Sequence, residues 1–545
     1  MPKNESFYLT TPIYYVNDIP HLGTAYCTIA ADILARYERL RGKDVIFLTG
    51  TDEHGEKVQE AAIKAGKTPQ VFTDQVAGAF KGTWEKIKIS FDDFIRTTEE
   101  RHKETVTHYL AKAVESGDVY LGEYEGWYCV PDETFWTQGQ LVNGKCPTCG
   151  RDVKKIKEEN YFFKLGKYIP QLVQHIHDHP TFILPETKRN EVLGFLKEEI
   201  RDLSISRTSF SWGIPFPKDE TKTKQNHVVY VWFDALFNYV SALEPLKNQG
   251  AKFGRFWGNK SHPKAIHLIG KDILRFHAVY WPCFLMSVGL PLPKRIFATG
   301  WWTVEGQKMS KSLGNAIEPV AFTTQWGLDA FRLFLFREFP MGQDGDFSIK
   351  NFKERVNADL ANNLGNLVSR TLNLIQKNMD GKVFETPLDH SNDKDIGPLV
   401  ISNYEMLRYQ YLGRSQSDPK LPSELMETFQ YHGVLNMIFG VLNGINKYLE
   451  IKAPWAMAKD PSKKTDMINV LNSAAETIRV TAIMLWPFIP ETSAEILRRL
   501  GQGSIDDLIN SSNKDDGLAL QHALGWGEGK PATVTVGTPL FMRLQ

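Results

Sequence analysis

The chain has 545 residues, of which 42% are hydrophobic and 23% charged, so it is long enough for several globular domains. Lysine plus arginine and aspartate plus glutamate both number 64, so the composition does not indicate a nucleic-acid partner. Five cysteines in a chain of this length argue against a disulfide framework and favour a reducing compartment. We expect a cytoplasmic protein that spans no membrane. The amino terminus has no signal-peptide pattern, and the apolar run from Val480 to Ile489 is far shorter than the ~20 residues of a membrane span.

The amino-terminal segment predicts a βαβ unit. Residues Phe7–Tyr15 are rich in aromatic and β-branched side chains, which favours a strand. Apolar residues recur at helical spacing over Gly23–Arg41, and Val45–Leu48 follows as a short buried strand. We expect Thr49–Gly55 to be a loop at the carboxyl end of that strand. Such a unit is the building block of a parallel, doubly wound sheet.

An α/β pattern returns after a segment of different character, residues 117–224, which holds three of the five cysteines. The sequence predicts an α/β domain interrupted by an insertion, and then an almost entirely helical half from about Phe352 onward. The expected later elements are strands at His227–Phe233, Ala265–Ile269 and Arg295–Ala298, helices at Asp272–Val288, Tyr431–Ile451 and Asp466–Met484, a surface linker at Gly501–Gly529 and an extended tail at Pro531–Leu544.

Two short motifs carry groups suited to binding a nucleotide. His21–Gly23 follows the first strand and opens the first helix, where parallel sheets bind anions at a helix N-terminus. An imidazole there can donate to phosphate, and glycine lets the backbone approach closely. In the segment Lys308–Asn315 two lysines are three residues apart, with one serine between them and another after the second lysine. This composition suits a mobile loop that closes over phosphates. Taken alone, the histidine is more often structural and a basic segment is often a surface loop, but the pair favours adenylate chemistry.

Together the two motifs resemble the signatures of class I aminoacyl-tRNA synthetases. Five further segments are similar to methionyl-tRNA synthetases, so the resemblance covers nearly the whole chain. One position departs from the pattern: the first signature usually ends in a second histidine, and Thr24 stands there with a hydroxyl that can still form hydrogen bonds. The further segments are Thr11–Asn17, Thr51–Gly55, Tyr230–Ala235, Ile269–Ile273 and Phe276–His277.

The resemblance implies an enzyme that activates L-methionine with ATP and Mg²⁺ and then transfers it to tRNA(Met), supplying initiator and elongator methionyl-tRNA. It also implies which residues contact ATP and which are catalytic. The implied ATP contacts are His21, Gly23, Thr24, Lys308, Ser310 and Lys311, and the implied catalytic residues are His21, Thr24, Lys308 and Lys311.

The same resemblance implies a methionine pocket. Aromatic side chains suit a thioether, which makes favourable contacts with rings. Asp52 is expected to bind the α-ammonium group of the substrate. We also expect the family's correction of homocysteine, by cyclisation to a thiolactone in the same site, because one methyl group supports only ~10–200-fold discrimination. The implied pocket residues are Ile13, Tyr15, Asp52, Trp232, Ala235, Leu236, Tyr239, His277 and Trp281.

The inserted segment contains a possible zinc knuckle. Cys146 and Cys149 form a C-x₂-C pair, and Cys129 lies 17 residues before it. Structural zinc takes four ligands, usually from such pairs. In zinc-bearing relatives position 132 is a cysteine, whereas this chain has Asp132, and a carboxylate is a less common ligand in structural sites. The sequence leaves two alternatives open: Zn²⁺ bound by Cys129, Asp132, Cys146 and Cys149, or a reduced vestige without metal.

The helical half resembles the family's anticodon-binding bundle. Asn366 and Arg370 are four residues apart and share a helix face, and Trp455 follows a proline at a helix boundary. These match the positions that read the CAU anticodon, with amide and guanidinium groups on base edges and an indole for stacking. Without the resemblance, the first two would be read as a solvated helix face and the tryptophan as core.

The predicted fold class is therefore α/β. It comprises a Rossmann-type parallel-sheet catalytic domain with an inserted, zinc-knuckle-like connective domain, followed by an all-α anticodon-binding bundle. The expected segments are 1–117 and 225–300 for the catalytic domain, 118–224 for the insertion, 301–351 for the lysine loop and its linker, 352–500 for the bundle, and 501–545 for a linker and tail.

Two other functions stay open from the sequence. One is a class I synthetase for another apolar amino acid or for cysteine, which the aromatic pocket and the lack of a large editing insertion disfavour. The other is a catalytically inactive relative that only binds tRNA, which the intact signature residues disfavour. We further expect a monomer, because the chain ends before the tRNA-binding domain that makes some family members dimeric.

Overall fold

A computed structural model describes residues 5–16, 19–130, 134–136, 138–217, 223–309, 314–391, 393–412, 425–515 and 517–545. The chain divides into two compact units. The sheet unit comprises Tyr8–Pro20 and Ile46–Thr299, and the bundle unit comprises Met1–Phe7, His21–Val45 and Gly300–Gln545. The division into six segments expected from the sequence stays a prediction. Among the described residues, every helix is too short or too polar to cross a membrane.

The described strands are numbered in chain order. They are β1 (Ser6–Tyr15), β2 (Asp44–Asp52), β3 (Asp93–Arg96), β4 (Val119–Cys129), β5 (Thr134–Trp136), β6 (Lys154–Phe163), β7 (Ile183–Leu184), β8 (Leu203–Ser204), β9 (Ser206–Arg207), β10 (Val228–Val229), β11 (Ala265–Gly270), β12 (Arg295–Thr299), β13 (Trp302–Val304), β14 (Gln307–Lys308), β15 (Gly345–Phe347), β16 (Lys382–Val383) and β17 (Ala532–Thr533).

The described α-helices are numbered in the same way. They are α1 (Leu22–Leu40), α2 (Glu56–Lys64), α3 (Pro69–Lys86), α4 (Glu100–Glu115), α5 (Ile169–Asp178), α6 (Glu186–Phe195), α7 (Val231–Leu236), α8 (Asn238–Ser241), α9 (Ala251–Phe256), α10 (Trp281–Ser287), α11 (Pro319–Trp326), α12 (Leu328–Arg337), α13 (Ile349–Arg355), α14 (Asn366–Asn378), α15 (Ser402–Tyr411), α16 (Tyr431–Lys452), α17 (Pro454–Met457), α18 (Lys464–Leu485), α19 (Pro490–Arg499), α20 (Ile505–Ser512) and α21 (Leu518–Ala523).

Shorter helical turns connect several of these elements. Those with tight 3₁₀ winding are Gln138–Gln140, Leu165–Tyr168, Asn248–Gly250, Lys271–Ile273 and Pro461–Lys463, and those with wide π winding are Phe276–Tyr280, Val356–Gly365 and Gly397–Ile401.

The sheet unit is built on a six-stranded sheet with the order β3-β2-β1-β11-β12-β7. Parallel pairing joins β2 to β3, β1 to β11, β11 to β12 and β12 to β7. Strand order runs outward in opposite directions from β1 and β11, which is the Rossmann-type arrangement, and such sheets bind ligands beyond the carboxyl ends of those two strands. The predicted α/β fold with a parallel sheet is confirmed.

The expected insertion contains a separate antiparallel sheet of order β5-β4-β6-β8. Its central pair, β4 and β6, is in register from Val119 opposite Phe163 to Tyr128 opposite Lys154. Strand β7 belongs to the same stretch of sequence but not to this sheet. It pairs in parallel with β12 at the edge of the six-stranded sheet. The inserted residues therefore complete the Rossmann-type sheet as well as forming a sheet of their own.

Two local predictions in the sheet unit are wrong. The expected strand at His227–Phe233 ends at Val229, and residues from Val231 form helix α7. Strand propensity is a weak local preference that tertiary contacts override, and here the main-chain N–H of Asp234 donates to the carbonyl oxygen of Tyr230 at 3.1 Å, which closes a helical turn. The expected loop from Thr49 also begins later, because Thr51 still pairs with Arg96 of β3.

The bundle unit contains the predicted carboxyl-terminal helices. Helices α16 and α18 confirm the two long helices expected there, and the buried residues of both are mainly apolar. The predicted surface linker over Gly501–Gly529 is wrong, because this stretch contains α20 and α21. Arg479 of α18 donates to the carbonyl oxygens of Ala523 and Gly525, which anchors the segment to the bundle. Its scarcity of apolar residues concealed these helices.

A buried arginine connects the helices of the bundle unit. Arg332 of α12 is fully buried, and its guanidinium binds the carboxylate of Asp32 at 2.7 Å. It also donates to the carbonyl oxygens of Pro487 at 2.8 Å and Phe488 at 2.9 Å. A second arginine, Arg36, binds the same carboxylate at 2.7 Å. A charge in such a place is tolerated only because it is paired and hydrogen-bonded.

We expect Asp32→Asn to destabilise the protein by about 3–5 kcal/mol, because it leaves the Arg332 charge buried without its counter-ion. The measurement is chemical denaturation followed by tryptophan fluorescence. Lys350→Ala is the control, because Lys350 and Glu354 form an exposed ion pair on α13. Equal, small shifts of the denaturation midpoint for both variants would contradict this prediction.

Candidate functional site

The nine predicted pocket residues all lie in the sheet unit. Two are near the end of β1, Asp52 is the last residue of β2, and the others are on α7, α8 and the helical stretch after β11. The main-chain N–H of Val16 donates to the carbonyl oxygen of Asp52 at 3.2 Å, so the ends of β1 and β2 are joined there. The remaining pocket residues are Ile13, Tyr15, Trp232, Ala235, Leu236, Tyr239, His277 and Trp281.

A hydrogen bond between two pocket residues fixes the state of His277. The Nδ1 of His277 lies 3.0 Å from the carbonyl oxygen of Ile273, so this nitrogen carries the proton and donates it. The Nε2 therefore accepts from the hydroxyl of Tyr239 at 2.7 Å. Burial lowers the pKa of His277 to about 4, against the opposing effect of the hydrogen bond to Ile273. The pocket side chain is thus a neutral imidazole at physiological pH.

A second buried histidine, His267 of β11, supports the pocket and was missed from the sequence. Its Nε2 accepts from the indole N–H of Trp281 at 3.2 Å, so its Nδ1 carries the proton toward the hydroxyl of Thr10 at 2.8 Å. Its ring also stacks on Tyr239, with centroids 4.2 Å apart. Burial lowers its pKa well below the ordinary value of 6.5. A histidine within an apolar strand was the available signal.

The indole of Trp232 stacks on Phe276, with centroids 3.7 Å apart and planes within 7°. The same indole meets His277 edge-on at 6.4 Å. This contact joins helix α7 to the π turn that carries Phe276 and His277, and π turns of this kind are frequent at functional sites. Tyr15 lies under the ammonium of Lys57, 5.3 Å from the ring. The arrangement presents aromatic faces that suit a thioether.

A cluster of hydrogen bonds around Glu53 holds the segment that carries Asp52. Its carboxylate accepts from the guanidinium of Arg96 at 2.7 and 2.9 Å. It also accepts from the hydroxyls of Thr51 and Thr98, both at 2.6 Å. Glu53 is fully buried, so this charge is satisfied by the ends of β2 and β3. The backbone next to Asp52 is therefore held in a defined position.

The neighbouring His54 binds on the opposite side of the same segment. Its Nδ1 lies 2.6 Å from one carboxylate oxygen of Asp234, and the Nε2 of His102 lies 2.7 Å from the other. Burial by itself raises the pKa of Asp234, but the charge on His54 and the hydrogen bonds from His102 and His54 lower it to about 2. Because this pKa is below the ordinary 3.8, the interaction stabilises the fold above about pH 4 and is lost as the pH falls toward 2.

The described residues of the two sequence signatures lie together in the bundle unit, although almost 290 residues separate them. His21 caps α1, and its Nδ1 accepts from the N–H of Gly23 at 3.1 Å. The imidazole proton is therefore on Nε2. A methyl group on Gly23 would lie 3.1 Å from this imidazole and 3.9 Å from the Cε of Met309. Glycine thus leaves room at the place where the signatures meet.

Thr24 closes a capping box with the same histidine. Its hydroxyl accepts from the main-chain N–H of His21 at 3.0 Å and lies 2.8 Å from the His21 carbonyl oxygen, to which it donates. The residue that departs from the family pattern therefore orders the helix N-terminus. Lys308 ends β14 with its ammonium 5.4 Å from the ring of Trp301. The predicted contacts Ser310 and Lys311 lie outside the described residues.

Three cysteines of the insertion form a cluster. The Sγ atoms of Cys129, Cys146 and Cys149 all lie within 4.8 Å of one another, and Cys129 and Cys149 are 3.5 Å apart. Tetrahedral zinc with Zn–S bonds of ~2.3 Å separates its sulfur ligands by roughly 3.8 Å, so the three thiols fit this metal. The main-chain N–H of Gly150 donates to the Cys146 carbonyl oxygen, which closes the knuckle turn. Asp132, the fourth predicted ligand, lies outside the described residues.

The three predicted anticodon residues lie near one another in the bundle unit. Asn366 begins α14 and is exposed, and Arg370 is one turn later. The guanidinium of Arg370 lies 5.9 Å from the ring of Trp455, which is 42% exposed. The same guanidinium donates to the side-chain oxygen of Asn446 at 2.9 Å. This surface offers an amide, a guanidinium and an indole to solvent, which are the groups that read and stack single-stranded bases.

Amides of α16 that the sequence did not single out extend this surface. Asn446 donates to the side-chain oxygen of Asn363 at 2.8 Å, and Asn363 donates to that of Asn443 at 2.7 Å. Asn443 and Asn446, three residues apart on α16, were the available signal, but an exposed asparagine is common on any helix. The amide chain orients Arg370 by way of Asn446.

Comparisons with known proteins identify the family of the chain. Residues 7–156 and 151–372 match the family model described as tRNA synthetases class I (M). Residues 424–526 match the model of the anticodon binding domain of methionyl tRNA ligase. The two models thus cover the segments that carry the aromatic pocket and Trp455.

Similar proteins named methionine–tRNA ligase come from several bacteria. The one from Thermotoga maritima is 43% identical over 543 residues, which is 99% of this chain and 80% of that protein. The one from Bacillus subtilis is 41% identical over 563 residues, covering 100% of this chain and 79% of that protein. The one from Fusobacterium nucleatum is 45% identical over 521 residues, covering 95% and 77%.

Solved structures of the Mycobacterium tuberculosis methionyl-tRNA synthetase are similar over the full length. The complex with methionyl-adenylate has a TM-score of 0.87 at 38% identity and covers 99% of this chain and 100% of that chain. The apo form has a TM-score of 0.82 at 36% identity, with 99% of each chain covered. On the family models, the identities and these structures, the chain belongs to the methionyl-tRNA synthetase family.

Proposed function

We propose that this protein is a methionine–tRNA ligase, which joins L-methionine to tRNA(Met) by way of methionyl-adenylate. The observation that carries the proposal is the neutral, aromatic pocket around His277, Tyr239 and Trp232 in a chain of this family. A neutral imidazole and stacked rings accommodate a thioether without exposing a charge to it. The relatives are named for the same ligase activity.

The reaction has two steps. In the first, the methionine carboxylate attacks the α-phosphate of ATP, and pyrophosphate leaves. In the second, the 2′-hydroxyl of the terminal adenosine of tRNA attacks the acyl carbon, and AMP leaves. Both steps depend mainly on positioning the reactants and stabilising charge on phosphate oxygens. Mg²⁺, bound with ATP, would neutralise phosphate charge.

We assign the roles of individual residues as follows. Asp52 binds the α-ammonium of methionine. The Nε2 proton of His21 and the space beside Gly23 serve ATP, and Thr24 keeps the helix N-terminus in place for it. Lys308 and Lys311, with Ser310 between them, neutralise the charge that develops on the phosphates. The amide, guanidinium and indole surface of Asn366, Arg370 and Trp455 binds the anticodon.

We place the enzyme in the cytoplasm as a monomer, and we expect it to cyclise homocysteine to the thiolactone in the methionine pocket. The pocket distinguishes the two amino acids by one methyl group, which limits discrimination to ~10–200-fold.

Methionine-dependent exchange of pyrophosphate into ATP tests the activity. We expect exchange with methionine and not with leucine or cysteine. Asp52→Asn should lower kcat/KM for methionine by about 10- to 150-fold, because a hydrogen bond to a charged group is worth roughly 1.5–3 kcal/mol. Asp93→Asn is the matched control, because Asp93 begins β3 and binds Arg101 away from the carboxyl ends of the strands. Exchange with leucine or cysteine alone would contradict the proposal, and tight tRNA binding without any exchange would indicate an inactive relative.

Zinc is expected at the cysteine cluster of the insertion. Elemental analysis of the purified protein should find about one zinc per chain, and Cys146→Ser should lose it, because a structural site needs its full set of ligands. Cys27→Ala is the control: this cysteine is buried in α1 and should not change the metal content. A fully active protein that contains no zinc would favour the vestigial alternative instead.

Arg370→Ala should separate the two steps of the reaction. We expect kcat/KM for tRNA(Met) in aminoacylation to fall by about 5- to 150-fold. This range corresponds to the loss of a guanidinium contact to a base edge, which is worth roughly 1–3 kcal/mol. Pyrophosphate exchange, which needs no tRNA, should be unchanged. Lys350→Ala removes a positive charge elsewhere and should leave both assays unaltered. Parallel losses in exchange and aminoacylation for Arg370→Ala would show that the substitution acts on the fold.

A further inference from the structure

We propose that Asp234 is a positioning residue for methionine binding, and that its carboxylate, bound by the imidazoles of His54 and His102, sets the place of Asp52 relative to the helix that carries Trp232. The inference rests on the proposed function, because it concerns the same pocket. It assigns a role to His54 and Asp234, which belong to the two sequence motifs Thr51–Gly55 and Tyr230–Ala235 but contribute no pocket side chain.

The carboxylate is fully used by the two histidines. One oxygen is 2.6 Å from the Nδ1 of His54, and the other is 2.7 Å from the Nε2 of His102. All three side chains are buried, with Asp234 and His102 fully enclosed. The Nδ1 of His102 lies 3.0 Å from the hydroxyl of Ser241 on α8. The carboxylate thus connects the segment after β2, helix α4 and, through the histidine, helix α8.

His54 is two residues from Asp52, so the network acts directly on the expected ammonium-binding residue. Adjacent side chains of this segment bind in different directions: Glu53 binds Arg96 at the end of β3, and His54 binds Asp234 of α7. The indole N–H of Trp212 also donates to the Glu53 carbonyl oxygen at 2.6 Å. If the His54 contact is lost, the segment keeps its attachment to β3 but loses its attachment to α7.

The other end of the network lies within the pocket wall. Asp234 stands between Trp232 and Ala235 on α7, a helix of six residues. A helix this short has little stability of its own and depends on tertiary contacts. The main-chain N–H of Asp234 donates to the Tyr230 carbonyl oxygen, and the Asp234 carboxylate binds His54 and His102. The carboxylate therefore orients the turn that presents Trp232.

With asparagine at position 234, the amide oxygen can accept from one imidazole, but the amide NH2 group faces the N–H of the other imidazole, which must give up that proton or lose its acceptor. A buried donor without an acceptor is costly, so the side chains around it rearrange. The rearrangement displaces Asp52 and Trp232 relative to each other, and a displacement of about 1 Å in a binding site can cost up to ~100-fold in rate. The residues assigned to ATP belong to the bundle unit, whereas all residues of this network belong to the sheet unit. We therefore expect the rearrangement to change the binding of methionine and not that of ATP.

The experiment measures KM for methionine and for ATP separately in pyrophosphate exchange with the full-length protein. We expect Asp234→Asn and His54→Leu to raise KM for methionine by about 10- to 100-fold, with KM for ATP changed by less than about threefold. His54→Asn places an amide N–H where Nδ1 stands, and should return KM for methionine to within about threefold of the wild-type value.

Asp118→Asn is the matched control. Asp118 is also a buried carboxylate of the sheet unit, and it binds Lys167, Tyr168 and Ser287. It should lower the melting temperature without a selective rise in KM for methionine. The same rise in this control, or unchanged KM for methionine in Asp234→Asn and His54→Leu, would overturn the inference.

The paired His54 variants decide the question if Asp234→Asn does not fold. Equal KM values for His54→Leu and His54→Asn would also count against a positioning role, because only the hydrogen bond to Asp234 distinguishes them. Failure of the proposed function would be visible separately, as absence of methionine-dependent exchange in the wild-type protein.

Discussion

The parallel contact between β1 and β11 organises the sheet unit. These strands are adjacent in the sheet but lie about 250 residues apart in the chain, and strand order runs outward from them in both directions. Because the strand order reverses between them, the connecting segments leave their carboxyl ends in opposite directions and a crevice for ligands is expected there. Tyr15 is the last residue of β1 and Asp52 is the last residue of β2. The helical stretch with His277 follows β11 by a few residues.

Each of the two units contains buried charges, and each of these charges binds more than one partner within its own unit. Glu53 has Arg96 and two threonine hydroxyls, and Asp234 has two imidazoles. In the bundle unit, Arg332 has Asp32 and two carbonyl oxygens. A buried ion pair is weak support for stability by itself, but a missing partner is severely destabilising. These groups therefore specify one arrangement of their elements more than they add free energy.

The two histidines at the expected methionine pocket are uncharged. His277 and His267 are both kept uncharged by burial, and each has one nitrogen committed to a donor role and the other to an acceptor role. A pocket of this kind can hold an apolar side chain without a charge to solvate. The buried charged residues Glu53 and Asp234 contribute no side chain to the expected pocket. They orient the segment after β2 and helix α7, which carry predicted pocket residues.

Much of this protein was predictable from local pattern. Alternating and apolar runs gave the strands β1, β11 and β12 and the helices α16 and α18 to within a few residues. The two nucleotide signatures were recognisable because phosphate chemistry requires particular residue types at particular spacing. The residues predicted to form the methionine pocket and to bind the anticodon came from the resemblance, because a single aromatic or asparagine residue is equally suited to core or surface.

The sequence by itself determined the chemistry available: which residues can donate, accept, ionise or stack, and which segments are apolar enough to form a sheet or a bundle. Only the tertiary structure decided how those groups are used. Residues Val231–Leu236 form a helix although their side chains favour a strand, because tertiary contacts override a weak local propensity. His54, His102 and Asp234 meet although up to 180 residues separate them. Neither result is visible in local sequence, since burial and long-range pairing depend on the fold as a whole.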